Sequence, residues 1–338
     1  MKIISIEDVS QLIKIYGFER IIYDLKIQLK EDFMTWDNHT KMPRPAMHVK
    51  DGVLELMPIC DDEYYSFKYV NCHPKNPRQN KMTVVATGQL SRVDTGYPIM
   101  FSEMTLLTAL RTAATSAIAT DFMARADAKT MAIIGTGAQS EFQIRAAKTV
   151  RDIKEVRFFD VDSAAMQKFA ANMSGSGLKL VACQSAEEAV MGADIVTVCT
   201  ACKQHVDVIK SDWIKAGVHI NALGGDTIGK TELELTLLKR ARIIVEYLEQ
   251  SVVEGEIQRL SEVEVNKYVV GHLHELLQGD IQARQSSQDI TIFDSVGIAL
   301  EDFSVLKLID RLSDQYSIGA NLNLVPELDN AKDLISLI

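Results

Sequence analysis

Two glycines stand between a short apolar run and a helical pattern in MAIIGTGAQSEFQIRAA, residues 131–147. Gly135 and Gly137 follow the pattern G-x-G-x-x-small, in which Ser140 is the third small residue. The first glycine permits a tight turn, and the second lets the backbone approach a pyrophosphate at the helix N-terminus. The next apolar run, VRFFD, ends in Asp160, whose carboxylate suits an adenosine ribose and repels a 2′-phosphate. The stretch therefore predicts a NAD site, and the simpler alternative is a tight turn without a ligand.

The alternation of apolar runs and helical patterns continues through the second half of the chain. From about residue 130, runs such as KLVAC, DIVTVCT and TIFDS are separated by amphipathic stretches such as EFQIRAAKTV and SAAMQKFAANM. Strands that alternate with helices form βαβ units with parallel strands. The sequence therefore predicts an α/β fold with a Rossmann-type, doubly wound parallel sheet.

The first hundred residues follow a different pattern. Ser5 and Asp8 are typical of a capping box, and the helical pattern behind them continues through VSQLIKIYGFERIIYDLKIQL. Alternating runs on both sides of Lys50-Asp51-Gly52 predict a hairpin, and further strands follow up to about residue 100. A long Ala- and Leu-rich helix comes next, and the last helix, EDFSVLKLIDRLSDQYSI, is expected to pack back on this part. We predict a second, α+β domain built from both chain ends.

The composition argues against several classes of protein. The 338 residues carry a net charge of −10, which disfavours a nucleic-acid partner. No apolar run has the length that a membrane span needs, and the start MKIISIEDV lacks the core of a signal peptide. Five cysteines without dense spacing are typical of free thiols in a reducing compartment. We predict a cytoplasmic protein that binds neither nucleic acid nor membranes.

The stretch GGDTIGKT, residues 224–231, matches the phosphate-binding loop pattern G-x-x-x-x-G-K-[ST] and precedes the helical pattern ELELTLLKRA. A nucleoside triphosphatase is therefore one alternative. Asp226 argues against it, because a carboxylate among phosphates is repelled. Ligands of α/β sheets bind after the strands, so we interpret Asp226 and Lys230 as site residues. An ordinary glycine-rich loop is the simpler alternative.

The pattern C-x-x-C occurs once after an apolar run, at Cys199 and Cys202. A thiol redox pair is one interpretation. No second pair stands at the spacing of a zinc site, so chance cysteines are favoured. His272 and His274 in GHLHELL are expected to be structural or on the surface. The sequence predicts no metal site.

Four charged residues lie in apolar surroundings in the first part of the chain: Arg44, Glu55, Lys68 and Arg111. Each of them alone is expected to be solvated, with its aliphatic stem along apolar surface. Together, opposite a dinucleotide site, they form a group that suits the carboxylate of an amino acid and steers its amines.

A set of longer motifs resembles the ornithine cyclodeaminase/mu-crystallin family. The motifs extend over nearly the whole chain and are ELMP, FKYVNCHP, GYPIMFSEMTLLTALRTAATS, IIGTGAQSEFQ, NALGGDTIGKTEL, EGEIQ and TIFDSVGIALED. The resemblance implies a homodimer whose substrate-binding and dimerisation domain is formed by residues 1–118 with 305–338. It implies a NAD-binding Rossmann domain at residues 119–304.

The resemblance also implies an activity. Family members with these motifs bind NAD and convert L-ornithine to L-proline and ammonia by transient oxidation, cyclisation, ammonia loss and re-reduction, in proline biosynthesis. The same family leaves four alternatives open. They are a lysine cyclodeaminase that forms pipecolate, an alanine dehydrogenase, a cyclic-imine reductase, and a crystallin-like binding protein without turnover.

Roles for single residues follow from the motifs that match. Arg44, Lys68 and Arg111 would hold the substrate carboxylate and polarise the reacting centre. Asp226 would donate and accept protons, and Glu55 would act with it on the amines or on a water. Val296 would contact the substrate. The residues that would line NAD, together with Arg111, are Thr83, Thr112, Gly135, Gly137, Ala138, Gln139, Asp160, Thr200, Lys230 and Ser295.

Overall fold

The computed structural model describes residues 1–201 and 204–338. The strands are β1 (Lys2–Ile4), β2 (Thr40–Lys41), β3 (Ala46–Val49), β4 (Gly52–Cys60), β5 (Tyr64–Cys72), β6 (Val84–Arg92), β7 (Pro98–Glu103), β8 (Thr130–Ile134), β9 (Glu155–Phe159), β10 (Lys179–Ala182), β11 (Ile195–Val198), β12 (His205–Ile209), β13 (His219–Ala222), β14 (Thr231–Leu233), β15 (Ala241–Val245), β16 (Val269–His272), β17 (Ile290–Asp294) and β18 (Ala320–Asn321). The α-helices are α1 (Ile6–Tyr16), α2 (Phe18–Met34), α3 (Thr105–Met123), α4 (Ser140–Ala147), α5 (Ser163–Met173), α6 (Ala186–Val190), α7 (Leu235–Leu238), α8 (Leu248–Glu254), α9 (Glu262–Tyr268), α10 (Leu273–Gln278) and α11 (Ala299–Tyr316).

One eight-stranded sheet combines strands from both chain ends. Its order is β18-β1-β7-β6-β5-β4-β2, and β3 also pairs with β4. Only β1 and β7 run parallel among the described pairs of this sheet, and its other pairs are antiparallel. The predicted hairpin is confirmed, because β3 and β4 pair around Asp51, which has a positive φ of 69°. The sheet thus contains the mainly antiparallel part that the sequence predicts.

Helices cover one face of this sheet. The inward side chains of alternate strand positions, such as Met57, pack with Leu25 of α2, Leu110 of α3 and Phe303 of α11 in one buried cluster. The expectation that the last helix packs back on the first part of the chain is confirmed, because α11 contacts both α2 and α3. Side chains of β4 and β5 that face this layer are therefore enclosed.

The first helical segment is broken at Gly17. This residue has a φ of 93°, and its N–H donates to Ile13 O, so that α1 ends at Tyr16 and α2 begins at Phe18. The prediction of one continuous helix is wrong for a physical reason. Both halves bury an apolar face, so the apolar period runs across the break, while only glycine takes this backbone conformation without strain.

The second eight-stranded sheet is parallel throughout its described pairs. Its order is β10-β9-β8-β11-β13-β17-β15-β16. The chain moves outward from β8 to β9 and β10, and then crosses to β11 on the other side. This reversal confirms the predicted Rossmann-type, doubly wound sheet and places a crevice between the carboxyl ends of β8 and β11, where such sheets bind ligands.

The segment behind GGDTIGKT differs from the prediction. Residues 231–233 form β14, which pairs in parallel with β12, and the helix that follows has only four residues, Leu235–Leu238. A phosphate-binding loop has to open a helix, whose N-terminal N–H groups bind the phosphates. The nucleoside triphosphatase alternative therefore lacks its structural basis here, and the predicted helix ELELTLLKRA is wrong.

Two helices connect the two sheets. The expected domain boundaries, at residues 118/119 and 304/305, lie inside α3 and α11, whose buried faces join both parts. The division of the chain into two domains stays a prediction. None of the helices in the described ranges combines the length and the apolar character that crossing a bilayer requires.

Candidate active site

The glycine-rich turn after β8 lies against the end of β11. Gly135 has a φ of 92°, and a Cβ placed on it would lie 2.8 Å from the carbonyl oxygen of Cys199. Gly137 is exposed, and nothing lies within 4 Å of the position of its missing Cβ. Gly135 is therefore required by the fold, whereas Gly137 leaves open space in front of the N-terminus of α4. Ala138 and Gln139 border the same space, and Gln139 Oε1 is buried without a hydrogen-bond partner among the described residues.

Asp160 lies at the end of β9, beside this turn. Its Oδ2 accepts hydrogen bonds from Thr136 N at 2.6 Å and Thr136 Oγ1 at 3.2 Å, and its Oδ1 accepts from Asp162 N at 2.9 Å. The carboxylate is thus held at the edge of the open space. This is the position at which an acid contacts the ribose of a dinucleotide.

Arg44 is buried between carboxylates. Its Nε lies 2.9 Å from Glu254 Oε2 and 3.1 Å from Glu55 Oε1, and its Nη2 donates to the backbone oxygen of Asp226 at 2.6 Å. Burial disfavours the charge of the guanidinium, but Glu55, Glu254 and Asp226 together raise the pKa of Arg44. Burial disfavours the charge of Glu55 as well and therefore raises its pKa, although Arg44 acts to lower it. The residue joins the first sheet to the loop that carries Asp226.

Lys68 and Arg111 share one carboxylate. Lys68 Nζ lies 2.7 Å from Asp302 Oδ2, and Arg111 Nε donates to Asp302 Oδ1 at 3.2 Å, while Arg111 Nη1 donates to Glu301. Both cations are buried, and both carboxylates come from the start of α11. Burial lowers the pKa of Lys68 to about 8, although Asp302 acts in the opposite direction. Lys68 is therefore close to losing its charge just above neutral pH.

Asp226, Lys230 and Thr200 form a third group at the carboxyl ends of the parallel strands. Lys230 Nζ donates to Asp226 Oδ1 at 3.0 Å and to the backbone oxygen of Thr200 at 3.2 Å. Lys230 is buried, whereas the Asp226 side chain is 37% exposed and so remains accessible to a ligand. Burial opposes the charge of Lys230, but Asp226 and Glu232 raise its pKa.

The segment after β17 completes the site. Glu246 accepts hydrogen bonds from Val296 N at 3.1 Å, from Gly297 N at 2.7 Å and from Ser295 Oγ. The position of a Cβ on Gly297 lies 2.7 Å from Arg111 Nη1, and Arg44 Nη1 approaches Val296 O at 3.4 Å. Residues 295–297 thus lie between the two arginines.

The structure brings most of the predicted residues into one region. For Thr83 and Thr112 the contacts are to the backbone oxygen, since Thr83 O accepts from His73 N and Thr112 O accepts from Ser116 Oγ, and the contact of their side chains with NAD stays a prediction. Cys202 lies outside the described residues. Cys199 donates to Gly135 O at 3.2 Å, and burial raises the pKa of its thiol, so Cys199 is not poised for redox chemistry.

The two histidines are only partly buried. His272 and Glu275 form a capping box at the start of α10, and the ring of His274 stacks on Trp36 at 4.8 Å. Ligand atoms of His272, His274 and Glu275 lie within 4.8 Å of one another. The capping contact accounts for His272 and Glu275, whereas His274 Nδ1 is buried without a hydrogen-bond partner among the described residues. The expectation of no metal site stays a prediction.

Sequence reasoning missed a group of buried carboxylates. They hold the cations or the loops of the site, and they are Glu232, Glu246, Glu254, Glu256, Asp294, Glu301 and Asp302. A signal for some of them was present. Glu246 and Asp294 directly follow or end apolar strands, as Asp160 does, and the carboxyl ends of parallel strands meet at the ligand edge.

Comparisons with known proteins agree with this fold. The model of the ornithine cyclodeaminase/mu-crystallin family matches residues 7–315. An ornithine cyclodeaminase of Brucella suis biovar 1 (strain 1330) is 46% identical over 336 residues, which are 99% of this chain and 92% of that protein. A lysine cyclodeaminase structure that describes recognition of L-lysine, L-ornithine and L-2,4-diaminobutyric acid has a TM-score of 0.93 at 26% identity, and the match covers 100% of this chain and 99% of that one. An archaeal alanine dehydrogenase dimer with bound NAD has a TM-score of 0.86 at 32% identity, over 96% of this chain and 99% of that one.

The two glycines of the turn should respond differently to alanine. Gly135→Ala places a Cβ against a carbonyl oxygen at a positive φ, and we expect it to lower the free energy of unfolding by about 1–3 kcal/mol. Gly137→Ala meets no atom, so its stability should stay within about 0.5 kcal/mol of the wild type. If a pyrophosphate approaches Gly137, its alanine variant should still bind NAD about tenfold more weakly, or worse. Urea unfolding and calorimetric titration measure both effects, and unchanged NAD affinity of Gly137→Ala would contradict the assignment of this turn.

Proposed function

Because the chain belongs to the ornithine cyclodeaminase/mu-crystallin family, we propose that it is an enzyme that converts L-ornithine to L-proline and ammonia with NAD. The observation that carries this proposal is the arrangement of Arg44, Lys68 and Arg111 beside Asp226. Three buried cations and an accessible carboxylate lie next to the ligand edge of a Rossmann-type sheet. Such a site suits a small amino acid held against a dinucleotide.

The turn after β8 fits NAD. The open space in front of Gly137 accommodates a pyrophosphate, and Asp160 is held where a ribose hydroxyl would donate to it. A 2′-phosphate at that position would meet the charge of Asp160, which favours NAD over NADP. When bound, NAD supplies the chemistry of taking a hydride from the substrate and returning it.

Arg44, Lys68 and Arg111 are the groups for the substrate carboxylate. Their carboxylate partners fix the orientation of each cation, because each cation has at least one donor bound to a carboxylate oxygen. Ornithine also brings two amino groups, and Glu55 and Glu254 near Arg44 suit an additional ammonium. This surplus of carboxylates favours a diamino acid over alanine, which has no second amine.

Asp226 is the proton-transfer group of the proposal. Its carboxylate is accessible, and Lys230 holds Oδ1 in place. A carboxylate there takes a proton from a substrate ammonium, which frees the amine as a nucleophile, and later gives a proton to the departing nitrogen. The two ends of ornithine then react within one bound molecule, so ring closure gains the advantage of an intramolecular reaction.

L-Lysine is the second candidate substrate. The lysine cyclodeaminase structure with the matching fold describes recognition of both L-lysine and L-ornithine. One more methylene group distinguishes the two amino acids, and a difference of this size changes discrimination by only about 1–3 kcal/mol. Both substrates therefore belong in the experiment below.

A homodimer in the cytoplasm completes the proposal. The face of the first sheet that points away from the helices carries exposed apolar side chains, among them Leu56, Tyr65, Tyr69 and Val85. An apolar sheet face of this kind is typical of an interface, and a structural neighbour is described as a dimer. Cys60, Cys183 and Cys199 are free thiols, which suits a reducing compartment. Proline biosynthesis is the metabolic role that we propose.

Redox balance distinguishes the proposed reaction from a dehydrogenase. If the hydride is returned, catalytic NAD should support many turnovers of ornithine, and proline and ammonia should form in equal amounts without matching NADH. The measurement is product analysis by mass spectrometry with NADH followed by absorbance, for ornithine, lysine and alanine in parallel. Stoichiometric NADH, or pipecolate from lysine as the dominant product, would contradict the ornithine assignment.

Removal of the Asp226 acid should separate binding from turnover. Asp226→Asn keeps the shape of the side chain but cannot carry the proton, so we expect turnover of ornithine to fall by about 100-fold or more. The affinity for NAD should change little. Steady-state rates and a NAD titration measure the two quantities, and full turnover by Asp226→Asn would exclude it as the proton-transfer group.

The basic limb of the pH profile should belong to Lys68. Its pKa of about 8 means that the ammonium is charged below this pH and neutral above it. We expect kcat/KM for ornithine to fall as the pH rises through about 8, because carboxylate binding loses one charge. In Lys68→Arg, whose guanidinium stays charged, the limb should move to higher pH even if the rate is lower. An identical limb in both proteins would assign it to the amines of the substrate instead.

A further inference from the structure

Glu232 is a buried carboxylate beside the candidate site that none of the roles above uses. It lies on β14 and is only 1% exposed. Its Oε1 accepts a hydrogen bond from the hydroxyl of Thr200, and its Oε2 is buried without a hydrogen-bond partner among the described residues. A carboxylate with an unpaired oxygen is costly to bury, so its retention requires a reason.

The carboxylate of Glu232 lies directly against the loop of Asp226. A Cβ placed on Gly224 would be 1.6 Å from Glu232 Oε2, and one on Gly225 would be 2.7 Å from Glu256 Oε1. Glu256 in turn accepts the backbone N–H of Glu232 at 2.8 Å. The two glycines before Asp226 are therefore explained by two carboxylates that contact their backbone, and not by a phosphate.

Two side chains of the segment that contains β14 bind Thr200. Lys230 donates to the backbone oxygen of Thr200, while Glu232, two residues later, accepts from its hydroxyl. Side chains two residues apart in an extended segment point to the same side. Thr200 follows β11 and lies next to the turn of Gly135, because the peptide group between Cys199 and Thr200 packs against this glycine. Glu232 thus connects the dinucleotide turn to the loop of Asp226.

The charges around Glu232 are mixed. Lys230 and Asp226 act on it from the loop, Thr200 donates to it from the end of β11, and Glu256 and Cys199 lie on its other sides. Burial raises the pKa of Glu232 to about 7, although Lys230 and Thr200 lower it. The carboxylate therefore changes its charge near neutral pH.

We propose that Glu232 is a positioning residue that holds Thr200 and the Gly224–Asp226 loop in register, so that the cofactor side and the proton-transfer side of the site keep a fixed distance. The proposal rests on the proposed function. Glu232 acts through Thr200 and through the loop backbone, and it need not contact the substrate.

The test removes the charge of Glu232 and keeps its shape. Glu232→Gln should fold with an unchanged melting temperature, should bind NAD about tenfold more weakly, and should turn ornithine over about tenfold more slowly with little change in KM. Its kcat profile should also lack the inflection near pH 7 that we expect for the wild type. The matched control is Glu234→Gln, just after the end of β14, whose carboxylate accepts from Ser211 N. It should behave as the wild type.

Thr200 supplies the second arm, which holds even if Glu232→Gln does not fold. Thr200→Val removes the hydroxyl and should raise the Kd for NAD about tenfold, whereas Thr200→Ser keeps the hydroxyl and should lose clearly less affinity. The double variant Thr200→Val with Glu232→Gln should be no worse than either single one, because both act through one contact. Additive losses, equal effects of Val and Ser, or a Glu232→Gln protein with wild-type NAD affinity would overturn the proposal. A wild type that neither binds NAD nor forms proline would instead refute the proposed function itself.

Discussion

The side chains of Arg44, Lys68 and Arg111 are buried, and none of them can stay charged away from water without a carboxylate beside it. This requirement organises the site. Arg44 binds Glu55 of the first sheet and Glu254 at the end of α8, the helix that follows β15. It therefore joins the first sheet to the part of the chain that forms the parallel sheet. Asp302 neutralises both Lys68 and Arg111, so the loss of this one side chain would leave two cations underpaired. Breaking a buried pair costs about 3–5 kcal/mol, a large part of the stability of an ordinary domain.

Buried carboxylates also accept hydrogen bonds from backbone N–H groups around the site. Glu246 accepts the N–H groups of residues 296 and 297, Glu256 those of residues 232 and 233, and Asp294 those of residues 256 and 257. Each acid thereby satisfies backbone N–H groups that would otherwise be buried unpaired. Buried carboxylates therefore help to hold the segments around the ligand edge in place. Catalytic geometry depends on such positioning.

Local sequence signals predicted what depends on local geometry. Gly135, Gly137 and Asp160 form a turn and a strand end, and the order of apolar runs predicted the parallel sheet. The helix break at Gly17 was not predicted, because the apolar period continues across the break and contains no information about backbone angles. Asp302 could not be predicted for another reason. Its partners Lys68 and Arg111 lie far away along the chain, and only the packing of α11 on the first sheet brings them together. Arg44, Glu55, Lys68 and Arg111 were singled out by their charge in apolar surroundings. The other carboxylate partners, Glu254, Glu301 and Asp302, follow from the tertiary structure alone.

The pairing of the chain ends has a consequence for the order of events at the ribosome. β1 pairs with β18, and α11 closes the core over the first sheet, so this part of the molecule is incomplete until about residue 321 has left the exit tunnel. All strands of the parallel sheet, by contrast, lie between residues 130 and 294 and emerge earlier. Until then the nascent chain holds an unfinished antiparallel sheet with an uncovered apolar face. Lys68 and Arg111, whose carboxylates lie on α11, are enclosed only after that helix has emerged.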